Sequence, residues 1–499
     1  MKKTAIIETK FGKIQGYIEN GIEVFKGIPY TEPPAGELRF KPPISKEPWE
    51  GVLNTIKYSA CAFQGYSELE EWLGKPSPES EDCLYLNIWT PATDEDKRPV
   101  MFWIHGGAFV IGTGNDPIYD GSALARRGDV VVVTINYRLG LFGFPYIAGN
   151  VANLGSLDQI LALKWVRDNI ALFGGDPDNV TIFGESAGGY SVVSLCSMPA
   201  AKGLFRRVIA QSAPLIDPAV SDKATMKIIR KLGVKGGNIE DLREKSAKEI
   251  IDAQNKVFAA EATNIMALRP LIEGDIWTKH PLKAFQEGDC EDIDFMIGTN
   301  LEEAKMFTAM KAISALVAQG ENALFGYLGT LAIKPEKSKE IINTYKEARA
   351  GKLSIEPKDL FDALLTDVMF RIPTIRLLEA QRPHQPNTYN YMFTWPTPGM
   401  GGILGACHAM ELPFVFGTLE APTFKEFVVI SPETKAISEK MMDAWISFAR
   451  TGNPNHENIP EWPAYDVENR ATMVFGKQCE VINAAFEKER VAWEGLLEI

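Results

Sequence analysis

Apolar side chains fall in short, dense runs along this chain rather than alternating with polar ones. The runs 100–104 (VMFWI), 130–135 (VVVVTI), 180–183 (VTIF), 208–210 (VIA), 295–297 (FMI) and 389–393 (YNYMF) are rich in β-branched and aromatic residues. Near-continuous apolarity marks a strand buried on both faces, as in a parallel sheet covered by helices. Helical periodicity separates these runs. Leu157, Ile160, Leu161, Val166 and Ile170 predict a helix over 156–173 that stops at Gly174-Gly175. Ile437, Met441, Trp445 and Phe448 predict another, ended by Thr451-Gly452-Asn453-Pro454. Strand alternating with helix predicts a large α/β protein. Two stretches break that rhythm: 217–264 and 309–387 are charged, helix-rich and without a convincing strand. They read as insertions roofing the sheet, within a single domain over 1–499. The proline-rich residues 28–43 read as ordered loop.

Composition changes this picture only by exclusion. With 45% hydrophobic and 23% charged residues the chain is of ordinary globular type. A formal charge of -13 argues against nucleic acid or an anionic membrane as partner. Ala5-Ile6-Ile7 is too short for a signal-peptide core, and no apolar run is long enough to span a bilayer. The expectation is a cytoplasmic monomer. The six cysteines lack C-x-x-C spacing and no histidine pair has ligand spacing, so neither metal nor cofactor is expected.

Chemistry enters where the run 180–183 meets the apolar helix start at Ala187. Gly184-Glu185-Ser186-Ala187-Gly188 fits G-x-S-x-G, a turn that projects a serine from the end of a strand. The turn strains the serine backbone and brings residues 184 and 188 close together, so both must be glycine. Attack by Ser186 on an acyl carbon needs donors for the oxyanion. His105-Gly106-Gly107 follows the strand ending at Ile104, so the amides of Gly106, Gly107 and Ala187 are candidates, with His105 structural. The base must follow the serine in the chain. Of His105, His280, His384, His408 and His456, only His408 combines late position, small neighbours and an apolar helix start. Order and strand-end placement favour Glu303 as the acid, with Glu302 its rival.

Longer stretches resemble the type-B carboxylesterases, and within them the bacterial p-nitrobenzyl esterases. FGGDPDNVTIFGESAG (173–188) and EDCLYLNIWTP (81–91) are similar to the two signatures of that family. FKGIPY (25–30), PPAGELRF (33–40) and HAMELPFVFG (408–417) are similar to its N-terminal and histidine segments. The resemblance implies an α/β-hydrolase fold and a triad of Ser186, Glu303 and His408. The acid segment GTNLEEA (298–304) departs from the family pattern at Glu302, usually Asp, and Ala304, usually Gly. By the same resemblance Glu185 and Ser212 are polar supports around the serine. Cys61 and Cys83 match the ends of a loop that in the cholinesterase branch carries a substrate-contacting aromatic; here Trp72 reads rather as an anchor. Tyr190, Met306 and Phe307 follow catalytic positions closely and are candidate pocket walls.

The expected activity is hydrolysis of small to medium carboxylic esters, of the p-nitrophenyl and p-nitrobenzyl type, through an acyl-enzyme. An amidase or lipase could use the same machinery. A non-catalytic binding module is disfavoured because all three triad positions are retained. Activity should fall as pH drops through the pKa of His408, near ~6.5 unless the site shifts it.

Overall fold

The apolar runs pair with one another in a computed structural model that describes residues 2–65, 78–149, 151–214, 221–260 and 266–497. Trp72 and the ends of the stretch 217–264 lie outside the described residues. Seven strands run parallel in the spatial order Val131–Ile135, Arg98–Ile104, Gly175–Glu185, Arg207–Gln211, Asp294–Asn300, Thr388–Phe393 and Thr472–Phe475. Of the first five, four are buried at every position and Gly175–Glu185 is buried from Val180 onward, as continuous apolarity requires. Antiparallel strands extend the sheet at both ends. Tyr85–Thr90, Ile22–Pro29, Tyr17–Glu19 and Lys2–Lys3 add to one edge, and Cys479–Ile482 to the other, giving twelve strands among the described residues. Ile28 and Pro29, expected in loop, therefore close a strand, with the proline at its last position.

Large apolar clusters cover the two faces of this sheet. One gathers Phe102, Ile104, Ile182, Val193 and Ile297; the other gathers Trp103, Phe183, Met296, Trp445 and Phe475. The alternation of neighbours between clusters, Phe102 against Trp103, is the two-residue period of a strand. The helix predicted over 156–173 spans Leu154–Asn169 and continues as a 3-10 turn to Phe173, where Gly174 takes the left-handed conformation. The late helix, Pro432–Thr451, is closed by left-handed Gly452. A third cluster lies away from the sheet, among helices Lys311–Val317, Glu321–Thr330, Pro335–Arg349 and Pro357–Thr366 with Trp493. Among the described residues no helix is long and apolar enough to cross a membrane.

Strand order and register decide where chemistry gathers. Arg98–Ile104 is flanked by later strands on both sides, which opens a crevice at its carboxyl end. Ile104 pairs with Gly184, Glu185 with Gln211, and Gln211 with Gly298. The loops after residues 104, 185, 211 and 300 thus leave one rim side by side.

Candidate active site

Ser186 stands at the end of strand Gly175–Glu185, with φ 55° and ψ -119°, between the strand and helix Ala187–Cys196. That conformation costs an L-residue a few kcal/mol at most and is held by its surroundings. Its N–H donates to Gln211 O (3.0 Å). The flanking glycines are dictated by space: a Cβ on Gly188 would lie 2.0 Å from Ile104 O, and one on Gly184 2.6 Å from Gly188 O.

The loop after Ile104 folds against this corner. Gly107 has φ 105°, and a Cβ on Gly106 would lie 2.7 Å from Glu185 Oε2 and 3.2 Å from Ser186 Cβ. Among the described residues, the amides of Gly106, Gly107 and Ala187 donate to no protein acceptor, so three N–H groups stay available beside the serine. His105 stacks on Tyr137 at 4.4 Å, and burial pulls its pKa down to about 4, which keeps it neutral.

Glu303 and His408 meet in the buried interior of this rim. His408 Nδ1–H donates to Glu303 Oε2 (2.7 Å). Glu303 Oε1 accepts from Ser212 Oγ (2.6 Å) and from Asn300 N–H (2.6 Å), so the buried carboxylate has three donors. A buried charge needs such partners. Segments 300–303 and 405–408 are laced together: Asn300 Nδ2 donates to Cys407 O (2.8 Å), Glu302 N–H to Ala406 O (3.0 Å), and Ala406 N–H to Glu302 Oε2 (2.9 Å). Glu302, the rival acid, is occupied there and by an ion pair with Lys305 (2.7 Å). Both departures from the family pattern are accommodated: Ala304 keeps helical angles, φ -69° and ψ -19°.

The other ring nitrogen faces a second carboxylate. Glu185 Oε1 lies 3.0 Å from His408 Nε2, yet neither atom has a partner of hydrogen-bond geometry, and so Ser186 Oγ does not hydrogen-bond to Nε2 either. Burial opposes a charge on His408, but attraction from Glu185 and Glu303 outweighs it and holds the pKa well above 6.5. A third acid, Glu411, accepts from Gln211 Nε2 (2.9 Å) and Asn300 Nδ2 (2.7 Å). Burial, with Glu185 and Glu303 nearby, pushes its carboxyl up to about 7.

Of the three candidate pocket walls, Phe307 lies against His408, its ring 5.1 Å from the imidazole. Tyr190 is fully buried between Phe109 and Trp277, and half-buried Met306 packs on the second cluster. Phe370, which the sequence did not single out, lies 5.0 Å from the imidazole and stacks on Phe307. It sits in an apolar helical stretch, where nothing in the pattern distinguishes a wall from a core residue. Cys61 and Cys83 are buried and not bridged.

A carboxyl–imidazole pair beside a strained serine and three unengaged amides is equipped for acyl transfer. Comparison with known proteins agrees. A model of the carboxylesterase family matches residues 3–493. The para-nitrobenzyl esterase of Bacillus subtilis (strain 168) is 39% identical over 495 residues, 97% of each chain. The phenmedipham hydrolase of Pseudarthrobacter oxydans is 34% identical over 488 residues, 95% of each chain. A crystal structure of a Geobacillus stearothermophilus carboxylesterase, 39% identical, matches with a TM-score of 0.87 over 98% of this chain and 100% of that one. The chain therefore has the α/β-hydrolase fold. It belongs to the carboxylesterase family and is a carboxylic ester hydrolase.

Proposed function

We propose that the chain hydrolyses small to medium carboxylic esters, of the p-nitrophenyl and p-nitrobenzyl type, through an acyl-enzyme on Ser186. The observation that carries this reading is the 2.7 Å hydrogen bond from His408 Nδ1–H to Glu303, which fixes the imidazole with Nε2 toward the elbow side of the site. Neutral His408 takes the proton from Ser186 Oγ as that oxygen attacks the ester carbonyl. Glu303 holds the ring in the required tautomer and supports the imidazolium. The N–H groups of Gly106, Gly107 and Ala187 receive the oxyanion. His408 returns the proton to the departing alcohol, and water then repeats the sequence to release the acid. Serine and imidazole are not hydrogen-bonded in the resting site, and such contacts commonly tighten only when substrate binds.

The para-nitrobenzyl esterase relative supports esters of this type as substrates, and the phenylalanines beside the imidazole supply an apolar surface for them. The helix-rich stretches within 217–264 and 309–387 we read as the roof over this rim, in one domain. The protein is read as a cytoplasmic monomer with no nucleic-acid or membrane partner. With p-nitrophenyl acetate, the parent should release a burst of p-nitrophenol before slower turnover. Ser186→Ala and His408→Gln should each lose about four to six orders of magnitude in kcat. A Ser186→Ala protein with the parental rate ends the reading.

A further inference from the structure

The turn that carries Glu303 is held from outside the triad by one short length of helix. Helix Pro357–Thr366 passes into a single π-helical turn, Asp367–Arg371, before α-helix resumes as Ile372–Gln381. Two side chains from this length grip the acid's turn. Thr366 Oγ1 accepts from Ala304 N–H (3.1 Å), and Arg371 Nη2 donates to Leu301 O (3.0 Å). Leu301 and Ala304 lie on either side of Glu303 in the chain, and Phe370 from the same length rests on His408.

The π turn explains how both side chains reach. Residues five apart diverge by roughly 140° around an α-helix. A turn closed by i→i+5 bonds brings them near one face, and such turns concentrate at functional sites. The turn is itself tied to the far end of the chain. Buried Asp367 accepts from Tyr345 Oη and pairs with Arg371; Tyr345 Oη accepts from Trp493 Nε1–H (2.7 Å); and the Arg371 guanidinium lies 4.4 Å over the Phe486 ring.

We propose that Thr366 and Arg371 are positioning residues for the acid, bracketing residues 301–304 so that Glu303 stays aimed at His408. This rests on the reading of Ser186, His408 and Glu303 as the triad. Without the Thr366 hydroxyl the buried Ala304 N–H has no acceptor, and the turn must shift to find one.

The test measures kcat, KM and the pH profile of p-nitrophenyl acetate hydrolysis, per site titrated by the burst. Thr366→Val should lower kcat at least ~10-fold with KM within ~2-fold, the size expected for one lost hydrogen bond in a charged network. The acid limb of kcat/KM should move to lower pH, because the imidazolium loses part of the support of Glu303. Thr366→Ser should restore both. Arg371→Met is read by the same criteria, so that a variant which does not fold leaves the other to decide. Parental kcat and pH profile per site, with only a lower melting temperature, overturn the inference. Ser186→Ala run alongside separates the two failures: if it is inactive while Thr366→Val is parental, the bracket alone is wrong; if it is active, the triad reading is wrong.

Discussion

The imidazole of His408 lies between Glu303, hydrogen-bonded to Nδ1, and Glu185, close to Nε2 without hydrogen-bond geometry. Both carboxylates favour the protonated ring, which cannot act as base. Because the pKa is raised above 6.5, the acid limb of kcat/KM should lie above the ordinary histidine range, with activity gained as pH rises through the shifted value. Glu185→Gln removes one of the two attractions and should move that limb to lower pH, measured across pH 5 to 9 with p-nitrophenyl acetate; an unmoved limb rules out Glu185 as a cause. Ser212→Ala removes one of three donors to Glu303 and should cost about 10- to 100-fold in kcat with KM little changed, since a hydrogen bond to a charged group contributes about 1.5–3 kcal/mol. At this scale the sequence was legible wherever choices were few. Five histidines allowed His408 to be reached by elimination, whereas 65 acidic residues left the choice of Glu303 over Glu302 to strand order and resemblance. Thr366 and Arg371 carried no signal, because their use depends on a π turn and on partners 62 and 70 residues away in the chain.

Between strand Gly175–Glu185 and helix Ala187–Cys196, backbone geometry leaves no room for a side chain at 188. Gly188→Ala should destabilise the fold by about 2–4 kcal/mol, as overpacking against backbone atoms does. Urea unfolding reads the cost, and a change under ~0.5 kcal/mol contradicts the account of the elbow. Of the seven parallel strands, Thr472–Phe475 offered too short a run to stand out, and the other six were legible because each carries a dense, near-continuous apolar run. Strands Ile22–Pro29 and Tyr85–Thr90 were not, because each breaks its run with polar or charged residues. Asn87 is the plainest case: a polar residue in a fully buried row, its side chain donating to Thr134 Oγ1 (3.0 Å) and accepting from Gly27 N–H (2.9 Å). Partners on the two adjacent strands cancel the cost of that polarity, and no local pattern records them.

Across the whole molecule, a few buried ion pairs join elements distant in sequence. Arg138 and Asp158 are paired twice, at 2.7 and 2.8 Å, both buried, and Arg138 Nη1 also donates to Lys41 O (2.8 Å). The pair pins the loop after the N-terminal strands to helix Leu154–Asn169 on the first cluster's face. Removing one partner leaves the other charged and dry, so Asp158→Asn should cost about 3–5 kcal/mol in urea unfolding. A loss below ~1 kcal/mol is the value of an exposed pair and contradicts this role. Trp493 Nε1–H donates to Tyr345 Oη (2.7 Å) and Tyr345 Oη–H to Asp367, which ties the third cluster to the π turn. The central claim, that an acyl group passes through Ser186, is tested most directly by mass spectrometry of protein quenched in acid during turnover of p-nitrophenyl acetate. An added acetyl group on the peptide containing Ser186, absent from Ser186→Ala, is the result the account predicts. Full turnover with that peptide unmodified at every quench time contradicts it.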